Sequence, residues 1–389
     1  MRIGILTFHN VINYGAFLQA FSLSNMLKAQ FPNAEVEIVD YITNRKRRYF
    51  TVLRSMKHEG FKGMVSELKK ISIFNSAQKY LTLSPKSFHS NNFYELYSYI
   101  DKRYDMLIIG SDAVFNWNQT KFPTAFIPDY QFSIPVYTYA ASVHGLRFYS
   151  VSHDILQACG TVFERMKCVG VRDKCSEQFV KVCSENANTI HCCDPTLFID
   201  KDIIYNNGIS VRNKLAKRYG FSLDSKYIVV MAPNSNMIKE ISKRYGNEYK
   251  IVSVFVKSSY SDYYIADLNP FEWTVVLRQA AMVITSYFHG TLLSLVQGTP
   301  AIVLDYSGYC DEQYEGKLKD LMVTRFELPE LYYDKSEADN FVGENSFYNK
   351  VDKLLSGGYE KRITDAVKKE SETWNDFIKL LETSENQIN

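Results

Sequence analysis

Apolar positions along this chain gather into short runs that alternate with stretches of helical period. The clearest unit is Met282 to Asp305, MVITSYFHGTLLSLVQGTPAIVLD. Met282 to Thr285 is a short apolar run with β-branched residues, which predicts a buried strand. Ser286 is placed to cap a helix. Leu292, Leu293, Leu295 and Val296 then recur at helical spacing. Gly298 suits the position just past a helix end, and Pro300 blocks further helix. Ala301 to Leu304 reads as a second strand. His289 therefore falls in the first turn of a helix, just past the carboxyl end of a strand. In open α/β sheets ligands bind there, and free N–H groups with the helix dipole favour anions. A core histidine satisfied by a backbone carbonyl is the competing reading.

The same alternation opens the chain. Ile3 to Phe8 predicts a strand ending at His9 and Asn10. Asn13, Tyr14 and Gly15 predict a tight turn, Ala16 to Ala29 a helix, and Glu35 to Asp40 a second strand, a βαβ unit. The turn lacks GxGxxG, so a dinucleotide site is not expected. Residues 76 to 100 read as loop and helix. Strands are predicted at Tyr104 to Gly110 (followed by Ser111 and Asp112), Pro135 to Ala141 (ending in Ser142), Cys168 to Val171 (followed by Arg172) and Thr189 to Cys193 (followed by Asp194). Five strands thus end in polar or charged residues, which predicts a ligand-binding edge. The polar stretch 200 to 222, with Asn206, Asn207 and Gly208, predicts a linker. Beyond it come strands at Tyr227 to Ala232 and Lys250 to Phe255, and a helix at Phe271 to Ala281. Residues 343 to 382 read as closing helices. The expected organisation is a Rossmann-like domain over 1–205 with a basic insertion at 44–75, a second Rossmann-like domain over 206–345, and closing helices over 346–389.

Composition narrows the function classes. At 389 residues the chain exceeds one ordinary core. Its net charge of +2 gives no global field for nucleic acid. Seven cysteines without CxxC pairs argue against zinc and iron–sulfur sites, and reduced thiols in a cytoplasm are the simplest account. No apolar run approaches the roughly 18 residues of a membrane span, and no signal peptide is expected ahead of the first strand pattern. One charge asymmetry stands out. Residues 44–75 hold nine Lys or Arg against two Glu, a surplus of seven positive charges, so the remainder of the chain is net −5. Apolar residues are interleaved with that charge. This suits peripheral contact with an anionic membrane surface; a solvated helix pair packed on the first domain is the plainer reading.

Six motifs in order, INYGAFLQA, GSDAVFNW, YAAS followed by Gly145, VGVRDK, DPTLF and AAMVITSYFHGTLLSL, resemble the polysaccharide pyruvyl transferase family. The resemblance runs from about residue 3 to about 305. It implies an α/β, GT-B-like fold, two Rossmann-like domains facing across a cleft, the first on the acceptor side and the second on the donor side. The implied reaction moves the enolpyruvyl unit of phosphoenolpyruvate onto a sugar of a polysaccharide precursor, free or lipid-linked, giving a cyclic pyruvate ketal and phosphate, with no metal and no cofactor. The competing transferase is a GT-B-type glycosyltransferase using a nucleotide sugar, which shares the fold; a non-catalytic sugar-binding protein is a third reading.

The resemblance also implies site residues. His289 and Asp112 are the expected catalytic groups, for acid/base or phosphate-binding work and for orienting or deprotonating an acceptor hydroxyl. An N-cap is the plainer reading of Asp112. Arg172, with Ser286, His289, Gly290 and Thr291, is expected to bind the donor; Arg172 has the fork geometry for a carboxylate or phosphate, with a surface salt bridge as the plainer reading. Asn10, Asn13, Tyr14, Gly15, Asp112 and Asn116 are expected to bind the acceptor. A helix start disfavours a protonated histidine and a bound multivalent anion favours it, so His289 is expected to be charged mainly in the substrate complex. Some members carry an arginine where Tyr287 stands, so part of the anion clamp must come from Lys239, Arg278 or helix N–H groups.

Overall fold

The computed structural model describes residues 1–42, 45–89, 93–118, 122–306, 315–340 and 344–388. They form two compact units. The first holds Met1–Phe198 and Glu372–Asn389, and the second holds Ile199–Gly308 and Gly316–Ser371.

The first unit is built on a parallel sheet of β1 (Arg2–Leu6), β2 (Glu35–Tyr41), β3 (Leu83–Phe88), β4 (Met106–Asp112), β5 (Val136–Ala141), β6 (Cys168–Val171) and β7 (Thr189–His191). Their spatial order is β3-β2-β1-β4-β5-β6-β7, every pair parallel. The direction of winding reverses between β1 and β4, the topological switch point where such sheets open a crevice. Central strands are apolar on both faces; Ile3, Ile5, Leu107, Ile108 and Ile109 are fully buried, as expected for a sheet covered by helices.

The second unit repeats the plan with β8 (Tyr227–Met231), β9 (Lys250–Val254), β10 (Tyr263–Ile265), β11 (Met282–Thr285), β12 (Ala301–Asp305) and β13 (Tyr332–Asp334). The order is β10-β9-β8-β11-β12-β13, again parallel, with its switch point between β8 and β11.

Several sequence expectations change. The polar stretch at 200 to 222 is no linker, because Lys201–Tyr219 is a helix. Asp200 caps it by accepting the N–H groups of Asp202 and Ile203, Gly220 closes it in the left-handed conformation, and Ile204, Val211 and Leu215 bury one face. That face and those caps override the weak propensity of Asn206, Asn207 and Gly208. The expected closing helices also divide. Asn345–Leu355 and Glu360–Ser371 lie in the second unit, while Thr373–Ile388 belongs to the first. There Trp374 and Phe377 set their rings 5.3 and 4.8 Å from Tyr139 of β5, and Leu381 is fully buried. Three edge strands, β3, β10 and β13, carry no clear alternation and escape the pattern. Pro85 is tolerated in β3 because an edge strand leaves one side unpaired.

Candidate functional site

In the first unit, the switch point is wired by side chains. Asn13 accepts the N–H groups of Gly15 and Ala16 on its side-chain oxygen, at 3.0 and 3.2 Å, and so caps a helix that runs Tyr14–Gln30. The expected turn at Asn13–Gly15 is therefore the helix start itself, two residues earlier than its apolar period indicates. Gln19 of this helix is fully buried. Its amide nitrogen donates to Thr7 after β1 (3.1 Å), and its oxygen accepts the N–H of Ser111 in β4 (3.1 Å). One glutamine thus ties the ends of β1 and β4 together across the switch point.

Asp112 ends β4 with a left-handed backbone, φ 79°. No helix follows it, so it caps nothing, and its carbonyl accepts the N–H groups of Val114 and Ser142. A non-glycine residue held at positive φ is the kind of local strain that gathers at functional sites. Arg172 follows β6 directly. Its guanidinium is 3 % exposed, with Nη1 donating to Asp194 at 2.8 Å and Nη2 standing 3.9 Å from Asp112. Asp194 also accepts the N–H and hydroxyl of Thr196. Burial lowers the Arg172 pKa, but Asp194, Asp112 and Asp173 more than offset it, and the net shift is upward. Arg172 is therefore held in a buried ion pair, not in the surface salt bridge of the plainer reading, and its guanidinium is not presented to solvent. It organises three carboxylates at the ends of β4, β6 and β7. Asn116 is also committed internally; its amide nitrogen donates to the carbonyl of His144 and its oxygen accepts the N–H of Asn118 at 2.9 Å.

At the end of β1, Asn10 donates to Gln78 at 3.3 Å, and Gln78 donates to the carbonyl of His9 at 3.1 Å. The ring of His9 is fully buried, with Nε2 3.0 Å from Asp40, whose other oxygen accepts the hydroxyl of Ser87. The His9 hydrogen bond, outweighing desolvation and helped by Ser87, holds the Asp40 carboxyl below its ordinary range. Neither Gln19 nor the His9–Asp40 pair is singled out by the sequence pattern, because a buried polar residue looks like any other until its partners are known.

In the second unit, β11 leads through Ser286 and Tyr287 into the helix Phe288–Val296. Ser286 is not the cap. Its N–H and hydroxyl both donate to the carbonyl of Met231 at the end of β8 (3.1 and 3.3 Å), which ties the two strands at their switch point. Tyr287 stands at the N-cap position, with its N–H donating to the hydroxyl of Thr285 at 3.0 Å. Thr291 donates its hydroxyl back to the carbonyl of Tyr287. His289 is 9 % exposed and meets the Phe288 ring edge-on at 5.3 Å. Gly298 has φ 82°, as its place past the helix end requires.

Gly290 packs where a side chain does not fit. A Cβ there would lie 2.8 Å from the Thr285 hydroxyl and 2.9 Å from the Met231 terminal methyl. Gly290→Ala is expected to destabilise the protein by about 1–2 kcal/mol, the range for mild overpacking, and to shift the first helical turn. Denaturant unfolding checks the first expectation, and the catalytic rate per folded molecule the second.

The cations expected to replace an arginine at Tyr287 separate. Lys239 is exposed, with its ammonium 5.9 Å from the Tyr260 ring. Arg278 ends the helix Pro270–Arg278, which feeds the amino end of β11, so it lies on the sheet edge away from His289. A lysine the pattern did not mark stands beside the helix start. Lys317 holds its ammonium 5.3 Å from the centroid of Phe288, the residue before His289.

The six cysteines among the described residues, Cys159, Cys168, Cys175, Cys183, Cys192 and Cys193, form no disulfide. Among the described residues no group of His, Cys, Asp and Glu has the makings of a metal site, and no helix is long and apolar enough to cross a membrane.

The family described as polysaccharide pyruvyl transferase matches residues 13–308. No curated protein matches the chain by sequence. Among solved structures, the chain is similar to UDP-GlcNAc 2-epimerase from Neisseria meningitidis, with TM-score 0.56 at 10 % identity over 98 % of this chain and 100 % of that one. A candidate UDP-N-acetylglucosamine 2-epimerase from Listeria monocytogenes gives TM-score 0.53 at 10 % identity over 99 % and 97 %. At that identity the likeness is one of fold, GT-B-like, with two parallel α/β units.

Proposed function

This chain belongs to the polysaccharide pyruvyl transferase family, and from that premise we propose that it moves the enolpyruvyl unit of phosphoenolpyruvate onto a sugar, forming a cyclic ketal. The family match over most of the chain carries the proposal. In the reaction, a proton is added to the methylene carbon of phosphoenolpyruvate. One sugar hydroxyl bonds to the enol carbon and gives up its proton, and a second hydroxyl displaces phosphate from that carbon. One phosphate leaves, and the acceptor gains one pyruvate less one water. None of these steps calls for a metal or a redox cofactor.

We assign His289 to proton donation or to the phosphate of the donor, because it stands at a helix start on a switch point. Ser286 and Thr291 shape that start through their bonds to β8 and to Tyr287, Gly290 through its close packing on Thr285 and Met231, and Lys317 supplies a cation beside it. Asp112 is assigned to the acceptor hydroxyl, since it projects from the switch point of the other sheet. Asn10, Asn13, Tyr14 and Gly15 border the same strand ends. Arg172 acts as a positioning residue, setting Asp112 and Asp194 in place. A nucleotide-sugar glycosyltransferase is the second reading, favoured by the fold shared with the Neisseria meningitidis epimerase, which was solved with UDP-GlcNAc bound.

The experiment is phosphate release from phosphoenolpyruvate across a panel of galactosides, glucosides and mannosamine derivatives, both free and lipid-linked. Release that depends on one acceptor supports the proposal. Consumption of a nucleotide sugar, with no response to phosphoenolpyruvate, moves the assignment to the second reading.

A further inference from the structure

The helix Arg45–Ala77 leaves an apolar stripe uncovered. It is broken once, at Gly60, whose φ of 63° and ψ of −152° separate two helical segments. Beyond the break, Phe61, Val65 and Leu68 follow one another at helical spacing and are 74, 46 and 49 % exposed. Before it, Leu53 and Met56 are 40 and 49 % exposed. Scattered exposed apolar residues need no account. Phe61, Val65 and Leu68 on one helical segment form a strip, and Leu53 and Met56 add exposed apolar surface before the break.

The helix is nevertheless held in place. Phe74 is fully buried, with its ring edge-on to Tyr14 at 5.4 Å and to Phe17 at 6.1 Å in the helix Tyr14–Gln30. The far end is thus anchored beside the carboxyl end of β1, while the strip faces outward. The plainer expectation, that the apolar face of 44–75 packs on the first domain, is met at Phe74 and fails at Leu53, Met56, Phe61, Val65 and Leu68.

Charge selects what covers the strip. The surplus of seven positive charges over 44–75 lies within a chain of net charge +2. Arg54, Lys57 and Lys62 are exposed among the apolar residues. A second copy of this chain would set the same basic surplus against itself. A surface that is apolar inside and negative outside satisfies both features.

We propose that the helix Arg45–Ala77 docks the protein on an anionic lipid bilayer, with Phe61, Val65 and Leu68 entering the headgroup boundary and the flanking lysines and arginines meeting lipid phosphates. The anchor at Phe74 then holds the β1 strand end next to the membrane. The proposal stands apart from the catalytic assignment.

The test is sedimentation of the full chain with vesicles of phosphatidylglycerol and phosphatidylcholine, beside pure phosphatidylcholine, at low and high salt. Binding is expected on the anionic vesicles alone and is expected to fall steeply with salt. The triple variant Phe61→Ser, Val65→Ser, Leu68→Ser should lower partition about tenfold or more with unchanged melting temperature, because the three side chains are exposed. Arg54→Gln with Lys57→Gln and Lys62→Gln should lower it by a similar factor and flatten the salt dependence. Equal pelleting with neutral vesicles, no pelleting at low salt, or triple-variant binding equal to wild type would each overturn the proposal. So would a dimer in light scattering that the triple variant abolishes, since a second copy would then be the occupant.

Discussion

Replacing His289 with alanine is expected to cost about a hundredfold or more in turnover per folded molecule, the usual scale for a positioned acid or base. The residue sits in the first turn of Phe288–Val296, at the switch point between β8 and β11. Its ring is 9 % exposed and packs on Phe288, so the substitution also removes contacts. That loss is of the order of 1–2 kcal/mol, a common cost of a single buried change. His289→Gln keeps most of the volume and is expected to lose the rate with a smaller fall in stability. Turnover, corrected for the folded fraction by denaturant unfolding, checks both. A fall in stability of several kcal/mol, with full turnover per folded molecule, would make His289 a packing residue.

Arg172→Met is expected to act in the opposite sense, on stability first. The substitution keeps the length of the side chain and strips Asp194 of its ion-pair partner. Asp194 is 2 % exposed and would be left as a buried carboxylate without its guanidinium, while still accepting from Thr196. Breaking a buried pair from one side costs about 3–5 kcal/mol, which in a chain of this size is a drop in melting temperature on the order of 10 °C. Changing Asp194 to Asn in the same molecule should restore part of the loss, because the stranded charge is then gone. Thermal unfolding of the single and double variants measures this. An unchanged melting temperature, combined with weakened binding of phosphoenolpyruvate, would return Arg172 to the donor clamp that its motif implies.

The contrast between these residues marks how far the sequence is legible. The central strands are, because β1, β4, β8 and β11 are buried on both faces and therefore read as unbroken apolar runs. The unit around His289 is legible for the same reason, down to Gly298 at the helix end. Three of the four edge strands are not, since β3, β10 and β13 are half covered and their side chains follow no period. The first helix starts two residues earlier than its apolar period, because Asn13 caps it with a side-chain oxygen that no apolar pattern records. The helix Lys201–Tyr219 hides behind Asn206, Asn207 and Gly208, whose local preference loses to a buried face and two caps. The candidate site is legible in its positions and less so in its partners. Asp112, Arg172 and His289 stand at strand ends as expected. That Arg172 is spent on Asp194, that Gln19 ties β1 to β4, and that Lys317 stands by Phe288 are facts of tertiary contact.

The central claim is that the enolpyruvyl carbon of phosphoenolpyruvate ends on a sugar. The most direct measurement uses phosphoenolpyruvate isotopically labelled at the enol carbon, with nuclear magnetic resonance and mass spectrometry of the acceptor after reaction. The account predicts the label in a quaternary ketal carbon bridging two sugar oxygens, an acceptor heavier by one pyruvate less one water, and phosphate released in equal amount. An unlabelled acceptor that has instead gained a sugar from a nucleotide sugar would contradict it.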